Sequence, residues 1–401
     1  LTEHPVSNDS SASADEPQTY RSPFLALPGA VEGAGIDAGV AWHYGQVTAD
    51  QRELAAGRSI VDASHFGVIR LTGSDRLSWL DSLTSQRLVT LLPGESAETL
   101  LLDIQGHIEH GAAVVDDGTA TWLITERELA PAFASWLNRM RFLLDVQVAD
   151  VTEEFAVIAT LGEHDLGAAA PNGTPLVWND PWATPPAHGW SYSQFPVVPA
   201  DGAPDAHPGA DFPLRLHIVE RAGIQQLVVR VAAGELPIAG MHALEALRIA
   251  ALRPRLGAEV DSRAIPHEFD WLRSAVHLEK GCYRGQETVA KVHFLGRPPR
   301  RIVLLDLDGS LGELPAAGST LSVEGDANAQ TVGRISSVAI HHEDGPIALA
   351  LVKRSLAEDA TLVVQLADGQ QVTASATTIV SPTAGRAADV PRLPRLERRG
   401  Q

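Results

Sequence analysis

Apolar positions along this chain alternate between two rhythms. From about residue 60, Gly67 and Gly73 bracket Val68-Ile69-Arg70-Leu71, a short strand pattern. Ser74 follows as a good N-cap, and Leu77, Leu80, Leu83 and Leu88 then recur near helical spacing. Leu100-Leu101-Leu102 reads as a strand. Ala112 to Val115 and Ala120 to Thr125 flank Asp116-Asp117-Gly118-Thr119, a hairpin turn in which glycine accepts a positive φ. A helix with Pro131 near its first turn sets Phe133, Trp136, Leu137 and Met140 on one face. Val146, Val148 and Val151 return to a strand. Periods of 2 and 3.6 in this order predict a ferredoxin-like unit, with Trp79, Trp122 and Trp136 as packing.

Phe155 to Leu161 starts another strand. Two Gly/Pro/Ala-rich stretches, around 162–190 and 199–213, read as long surface loops or an insertion. Leu214 to Val219 and Ile224 to Val231 form a second hairpin candidate across Arg221-Ala222-Gly223. Met241 to Leu252 reads as a helix ended near Pro254, with His242 and Glu245 outward and Leu244, Leu247 and Ala251 inward. From about residue 300 the texture changes. Ile302–Leu307, Thr320–Val323, Thr331–Ile340, Ile347–Val352, Thr361–Leu366 and Val372–Ile379 are strand-like, with Asp-Gly turns between them. Such spacing predicts a small all-β barrel or sandwich.

Composition narrows the classes. The chain has 401 residues, 44% hydrophobic and 20% charged, which suits two or three globular domains. With 31 Lys+Arg against 50 Asp+Glu, the formal net charge is -19. That argues against broad nucleic-acid binding, which rests on many cation–phosphate contacts. No run of about 18 apolar residues is present, so no membrane span is expected. One cysteine, Cys282, allows neither an internal disulfide nor a Cys-rich zinc site, which fits a reducing compartment. The polar, acidic first twenty residues read as a disordered tail without a secretory signal. His107 and His110 have a His-x-x-His spacing but no thiol nearby, and no metal site is expected there.

The segment with the most chemistry is Lys280-Gly281-Cys282-Tyr283-Arg284-Gly285-Gln286-Glu287. Its glycines permit backbone approaches that a Cβ would block. Cys282 and Tyr283 can both face a ligand from such a loop, and Lys280 and Arg284 would favour thiolate at Cys282. The competing reading is a buried cysteine acting as a small apolar filler.

This segment closely resembles the K-G-C-[FY]-x-G-Q-E signature of YgfZ-type folate-binding proteins, within the glycine-cleavage T-protein (aminomethyltransferase) superfamily. Ala246-Leu247-Arg248-Ile249, Pro266-His267-Glu268, Gly296-Arg297-Pro298-Pro299-Arg300-Arg301, Asp62-Ala63-Ser64 and Gly73-Ser74-Asp75-Arg76 resemble further parts of that family. The resemblance spans roughly residues 40–380. It implies an α+β fold in which two ferredoxin-like α/β domains and a C-terminal β-barrel form a three-domain ring around tetrahydrofolate. The expected boundaries are a tail at 1–22, a first folate-binding domain at 23–153 and a second domain with long loops at 154–240. The signature segment follows at 241–297, the barrel at 298–382 and a flexible tail at 383–401.

The same resemblance implies a tetrahydrofolate-binding accessory protein of the cytoplasm. Its partners would be iron–sulfur enzymes or assembly proteins, including ones that modify tRNA. The expected catalytic set is Cys282 with Lys280, Tyr283, Gly285, Gln286 and Glu287. The expected folate contacts are Gln105, Gly106, His110, Gln225 and Arg248. Two departures weaken an aminomethyltransferase reading. The T-protein Gly-Gly-Ile-x-Asp-Asp segment is matched by Gly106-His107-Ile108-Glu109-His110-Gly111, without its aspartates. The T-protein Gly-Phe-Glu-Ile segment is loosely matched by Gly223-Ile224-Gln225-Gln226-Leu227, without its carboxylate. The small basic cluster Arg297, Arg300 and Arg301 is expected either as solvated surface or facing a folate glutamyl tail.

Overall fold

The computed structural model describes residues 20–195, 207–366 and 368–388. It is a mixed α+β protein with several sheets, ending in a six-stranded barrel.

The first sheet has five strands in the order Ser96–Leu102, Ile108–Asp116, Ala120–Glu126, Phe66–Thr72 and Gln147–Asp150, each antiparallel to its neighbour. Helices Arg76–Leu83 and Ala130–Met140 cover one face. There Leu80, Phe133 and Leu137 pack against Ile69, Leu71, Leu101 and Leu123, the alternate residues of the strands. The Asp-Asp-Gly-Thr turn closes as expected: Asp117 accepts from Thr119 and Ala120, and Gly118 takes φ +91°. Ser74 is not the helix cap. Its hydroxyl donates to Asp145 at 3.0 Å, and the helix starts after Asp75 without a side-chain cap.

The second sheet runs Val177–Asn179, Arg215–Glu220, Phe155–Thr160, Ile60–Asp62, Ile238–Ala239. Its strand 60–62 precedes the first sheet in sequence, so the two sheets interleave along the chain. Val61, Val157 and Ile218 on its inner face share one core with Val68, Trp122 and Ile124 of the first sheet and with Leu244 and Leu247 of helix Met241–Ala250. The segment expected as a second hairpin arm is a helix instead, Ile224–Ala232. Its β-branched residues suggested a strand, but Ile224, Leu227 and Val228 bury one helical face against Phe24, Ile60 and Ala156. The expected surface loops are also partly interior: Leu166, Leu176, Trp178, Trp182 and Phe212 are buried. Of the stretch 199–213, residues 199–206 lie outside the described residues.

The barrel closes in the order Arg300–Leu307, Gly345–Lys353, Gly333–His341, Thr320–Val323, Leu362–Gln365, Gln371–Thr378. All six strands fall where the alternation placed them. Val303 and Leu305 point to its interior with Ile335, Val352 and Val364. Ile302 points the other way, onto Phe269, Trp271 and Leu272 of the segment before the signature.

Both expected tails lie mostly outside the described residues, yet their described ends are packed. Tyr20 donates to Ser64 at 2.6 Å and lies under the guanidinium groups of Arg127 and Arg221. Ala387 and Ala388 donate their N–H groups to the carbonyls of His293 and Phe294. Among the described residues no helix is long and apolar enough to cross a membrane.

Candidate functional site

Two glycines interlock at the signature. Gly285, at φ +82°, leads into helix Gln286–Phe294, and a Cβ there would fall 2.6 Å from the carbonyl oxygen of Asp103. Gly106, at φ +84°, sits in the facing turn, where a Cβ would fall 2.9 Å from that of Thr288. Only glycine allows both this backbone sign and this approach. The turn is braced from within, because the Asp103 carboxylate accepts from the N–H groups of Gln105 and His107, both at 2.8 Å. Gln105 and Gly106 therefore lie against the signature segment, with Gln105 exposed.

The cations of the signature serve as anchors. Lys280 Nζ donates to the carbonyls of Asp81, Thr84 (2.7 Å) and Gln86 (2.8 Å), and its side chain is 1% exposed. Those carbonyls surround the C-terminus of helix Arg76–Leu83, where a cation is favoured. Burial pushes Lys280 down to about 8, against the pull of Asp81. Arg284 pairs with Glu109 at 2.5 Å and lies over Trp136. Neither charge is left free for the thiol, so their expected role as thiolate activators gives way to tying the segment to the first sheet.

Cys282 is a free, exposed cysteine, which removes the filler reading. Tyr283 beside it is buried, its hydroxyl lacks a partner among the described residues, and burial pushes its pKa up. Gln286 donates to the Lys280 carbonyl at 3.4 Å, and Glu287 is exposed.

The expected folate contacts divide. His110 faces the helix side of the first sheet, its ring stacked on Phe133 at 4.7 Å, and burial pushes its pKa down. Gly111, its neighbour, faces the opposite way and lines a central cavity. Gln225 is exposed on helix Ile224–Ala232 and does not line that cavity. Arg248 does line the cavity, held by Glu245 (2.6 and 2.8 Å), Glu259 (3.2 Å) and Ser337 (2.6 Å). Glu245, expected outward, is 7% exposed because it also bonds Arg255.

The cavity measures about 130 Å³ and lies between the two sheets and helix Met241–Ala250. Its walls are Leu100, Ile124, Trp178, Phe212, Leu244 and Trp271, with Glu98, Glu126, Glu245, Arg248, Arg253 and Arg255 between them. Arg253 bonds Glu98 at 2.7 Å and Asp180 at 2.9 Å; Arg255 bonds Glu126 at 2.9 Å and Asp37 at 2.8 Å. Burial alone would raise Asp37, but Arg255 and His65 outweigh it and hold the carboxyl at about 2. Sequence reasoning missed Glu98, Glu126, Arg253 and Arg255. The arginines at 248, 253 and 255 were the available signal, hidden because Pro254 registered only as a helix stop.

Of the basic cluster, Arg300 is engaged by Asp261 and Glu268, and Arg301 is buried, donating to Thr378 and the Leu356 carbonyl. Those two are structural. Among the described residues no group of three His, Cys, Asp or Glu side chains is placed to hold a metal ion.

Residues 16–164 match the family model described as the GCVT N-terminal domain. A chloroplastic protein of Arabidopsis thaliana that carries a transferase name is 24% identical over 75% of this chain and 66% of its own length. An aminomethyltransferase of Synechococcus elongatus is 27% identical over 62% of this chain and 66% of its own. The tRNA-modifying protein YgfZ of Yersinia pseudotuberculosis is 24% identical over 77% of this chain and 88% of its own. The chain thus spans just under two thirds of the first two relatives. The crystal structure of glycine cleavage system aminomethyltransferase T from Bartonella henselae superposes with a TM-score of 0.67 at 17% identity, covering 89% of this chain and 95% of that one, and so shares the fold. Over residues 16–164 the chain thus matches the GCVT N-terminal domain, and it is distantly similar to aminomethyltransferases and to YgfZ alike.

Proposed function

We propose that this protein binds tetrahydrofolate and acts as a YgfZ-type accessory protein for iron–sulfur enzymes, with Cys282 as its working thiol. The observation that carries the reading is the central cavity, apolar and aromatic on its walls, with carboxylates and guanidinium groups converging between them. That is the usual make-up of a small-molecule site. Carboxylates suit the donor edge of a pterin. At about 130 Å³ the cavity suits a ring rather than a whole folate, since whole-ligand pockets run roughly 300–1,000 Å³. The strand order 147–150, 66–72, 120–126, 108–116 supports a ferredoxin-like unit in the first sheet.

Cys282 is exposed and solitary. An iron–sulfur cluster usually takes about four protein ligands, so any iron it meets is shared with a client and is cargo. An aminomethyltransferase is the weaker alternative. The cavity-facing position of the lost aspartate pair is Gly111, and its neighbour His110 points away.

Calorimetric titration with reduced folates tests the binding, and Cys282→Ser tests the thiol. We expect folate binding and folding to survive in the variant while iron–sulfur enzyme activity in cells falls. Absence of binding by any reduced folate defeats the reading; methylene-tetrahydrofolate formation from an aminomethylated carrier would favour the transferase.

A further inference from the structure

Helix Ala130–Met140 leads into an exposed apolar tip. Phe142, Leu143 and Leu144 are 78%, 103% and 46% exposed, three consecutive large apolar side chains in water. Such a patch marks an interaction site. The backbone of the tip is fixed: the Leu144 N–H donates to the Arg141 carbonyl at 3.0 Å, and the Val146 N–H to the Leu144 carbonyl at 2.9 Å. Trp79 Nε1 holds its base by donating to the Met140 carbonyl at 3.0 Å. Phe142 takes φ +46°, which a bulky residue rarely adopts, and no packing within the chain compensates for it. Arg139 and Arg141 flank the tip. They donate to the Ser135 hydroxyl and the Val146 carbonyl, and neither joins an ion pair among the described residues.

The other end of the same helix borders a groove of about 330 Å³. Glu128 and Leu129, just before the helix, line it with Leu256 and Val260. Glu109, Glu126 and Asp261 add carboxylates, against a single guanidinium, that of Arg127. Those three acids pair with Arg284, Arg255 and Arg300. Glu128 is exposed and has no hydrogen-bond or ion-pair partner among the described residues. Groove and helix share one surface, because Arg284, paired with Glu109 at the groove, lies over Trp136 midway along the helix.

We propose that this surface is where two copies of the chain associate: the Phe142–Leu143 tip of one seats in the acidic groove of the other, and each copy receives the other's tip. A tip and a groove at opposite ends of one helix are what such an exchange needs. With the two helices side by side and antiparallel, each tip meets a groove, and the contact closes as a two-fold dimer. The 11-residue helix sets the two contacts about 17 Å apart. Between them its exposed face carries the small Ala132 and Ser135, so two such helices can approach closely. Apolar tip meets apolar wall, and Arg139 and Arg141 arrive at a groove whose spare charge is the Glu128 carboxylate. The dimer is independent of the folate reading.

Sedimentation equilibrium of the full chain tests it. We expect a monomer–dimer equilibrium with a Kd of about 10 µM. The tip variant Phe142→Gly, Leu143→Ser removes the apolar side chains and relieves the positive φ at 142, while the groove variant Glu128→Arg, Ser262→Arg fills the groove and repels the arginines. All four positions are exposed, and melting curves check that both variants fold. Each variant alone should dimerise about a hundredfold more weakly, because it loses both contacts. An equimolar mixture of the two should lose only about tenfold, because the mixed pair keeps one intact tip and one intact groove. A wild type that stays monomeric up to about 300 µM overturns the proposal, as does a dimer that survives in either variant. A mixture no better associated than its components overturns the exchange of tips. Flotation of the wild type, and not of the tip variant, with phosphatidylcholine vesicles and without dimers would give the tip to a lipid surface and count against the proposal.

Discussion

Lys280→Met is the sharpest test of how the signature segment works. The substitution keeps most of the side-chain length and removes the ammonium. Three carbonyls, those of Asp81, Thr84 and Gln86, then lose their donor. Hydrogen bonds from a charged donor contribute about 1.5–3 kcal/mol each, with incomplete additivity. Against that stands the cost of burying the ammonium. Burial pushes its pKa from the ordinary 10.5 down to about 8, so desolvation offsets part of those bonds. The difference leaves a net loss of about 3 kcal/mol. With an unfolding entropy of roughly 2 cal/mol/K per residue, the melting temperature should fall by about 3–4 °C. Cys282→Ser, at an exposed position, should stay within about 0.5 kcal/mol. Differential scanning calorimetry on both variants decides the matter. A Lys280→Met protein that melts with the wild type but fails in cells would refute the anchoring argument and return Lys280 to the chemistry.

Gly285→Ala combines a positive φ with a backbone clash at Asp103 and should cost about 2–4 kcal/mol, while Gly281→Ala, with open space around it and no positive φ, should be nearly neutral; paired urea titrations compare them. Arg255→Met takes from Glu126 its ionic partner and from Asp37 and Glu245 one of two, leaving them His65 and Arg248, and should cost about 3–5 kcal/mol at neutral pH. The half-buried Glu126 carboxyl, left without its ionic partner, then takes up a proton more readily folded than unfolded, so acidification to pH 5 should recover part of that loss. For the wild type, burial pushes His207 and His267 down to about 3 and His217 to about 4, so below about 6.5 the unfolded chain binds more protons and stability falls. Burial raises Asp180 and Asp270 to about 6, which works in the opposite sense between about 6 and 4. The depressed histidines, His110, His188, His242, His277, His293 and His341 among them, outnumber the raised carboxyls, so the net effect over that window is a loss of stability. The loss steepens as Asp37, held at about 2, gives up its contribution below about 4. Denaturant midpoints that rise between pH 6 and 5 would contradict this sum.

Legibility varied with the kind of signal. The barrel strands were readable because an alternating pattern with one face inside has a single register that buries it. Helix Ala130–Met140 was readable from Phe133 and Leu137 for the same reason at a different period. Helix Ile224–Ala232 was misread because β-branched residues outweighed a helical spacing of only three buried positions. Trp178, Trp182 and Phe212 were hidden among glycines and prolines, in a composition that ordinarily marks surface.

By itself the chain order determined the local periods, the turn glycines and the unusual eight-residue segment around one thiol. These are properties of neighbours a few residues apart, governed by backbone sterics and side-chain alternation. Only the tertiary structure decided that Lys280 reaches the end of a helix some two hundred residues upstream. It also decided that His110 turns away from the cavity Gly111 faces, and that Arg253 and Arg255 meet carboxylates of the first sheet and, at Asp180, of the residue that follows an edge strand of the second. Side chains so far apart in sequence become partners only once packing brings their elements together, and a buried charge then takes whichever partner lies within reach.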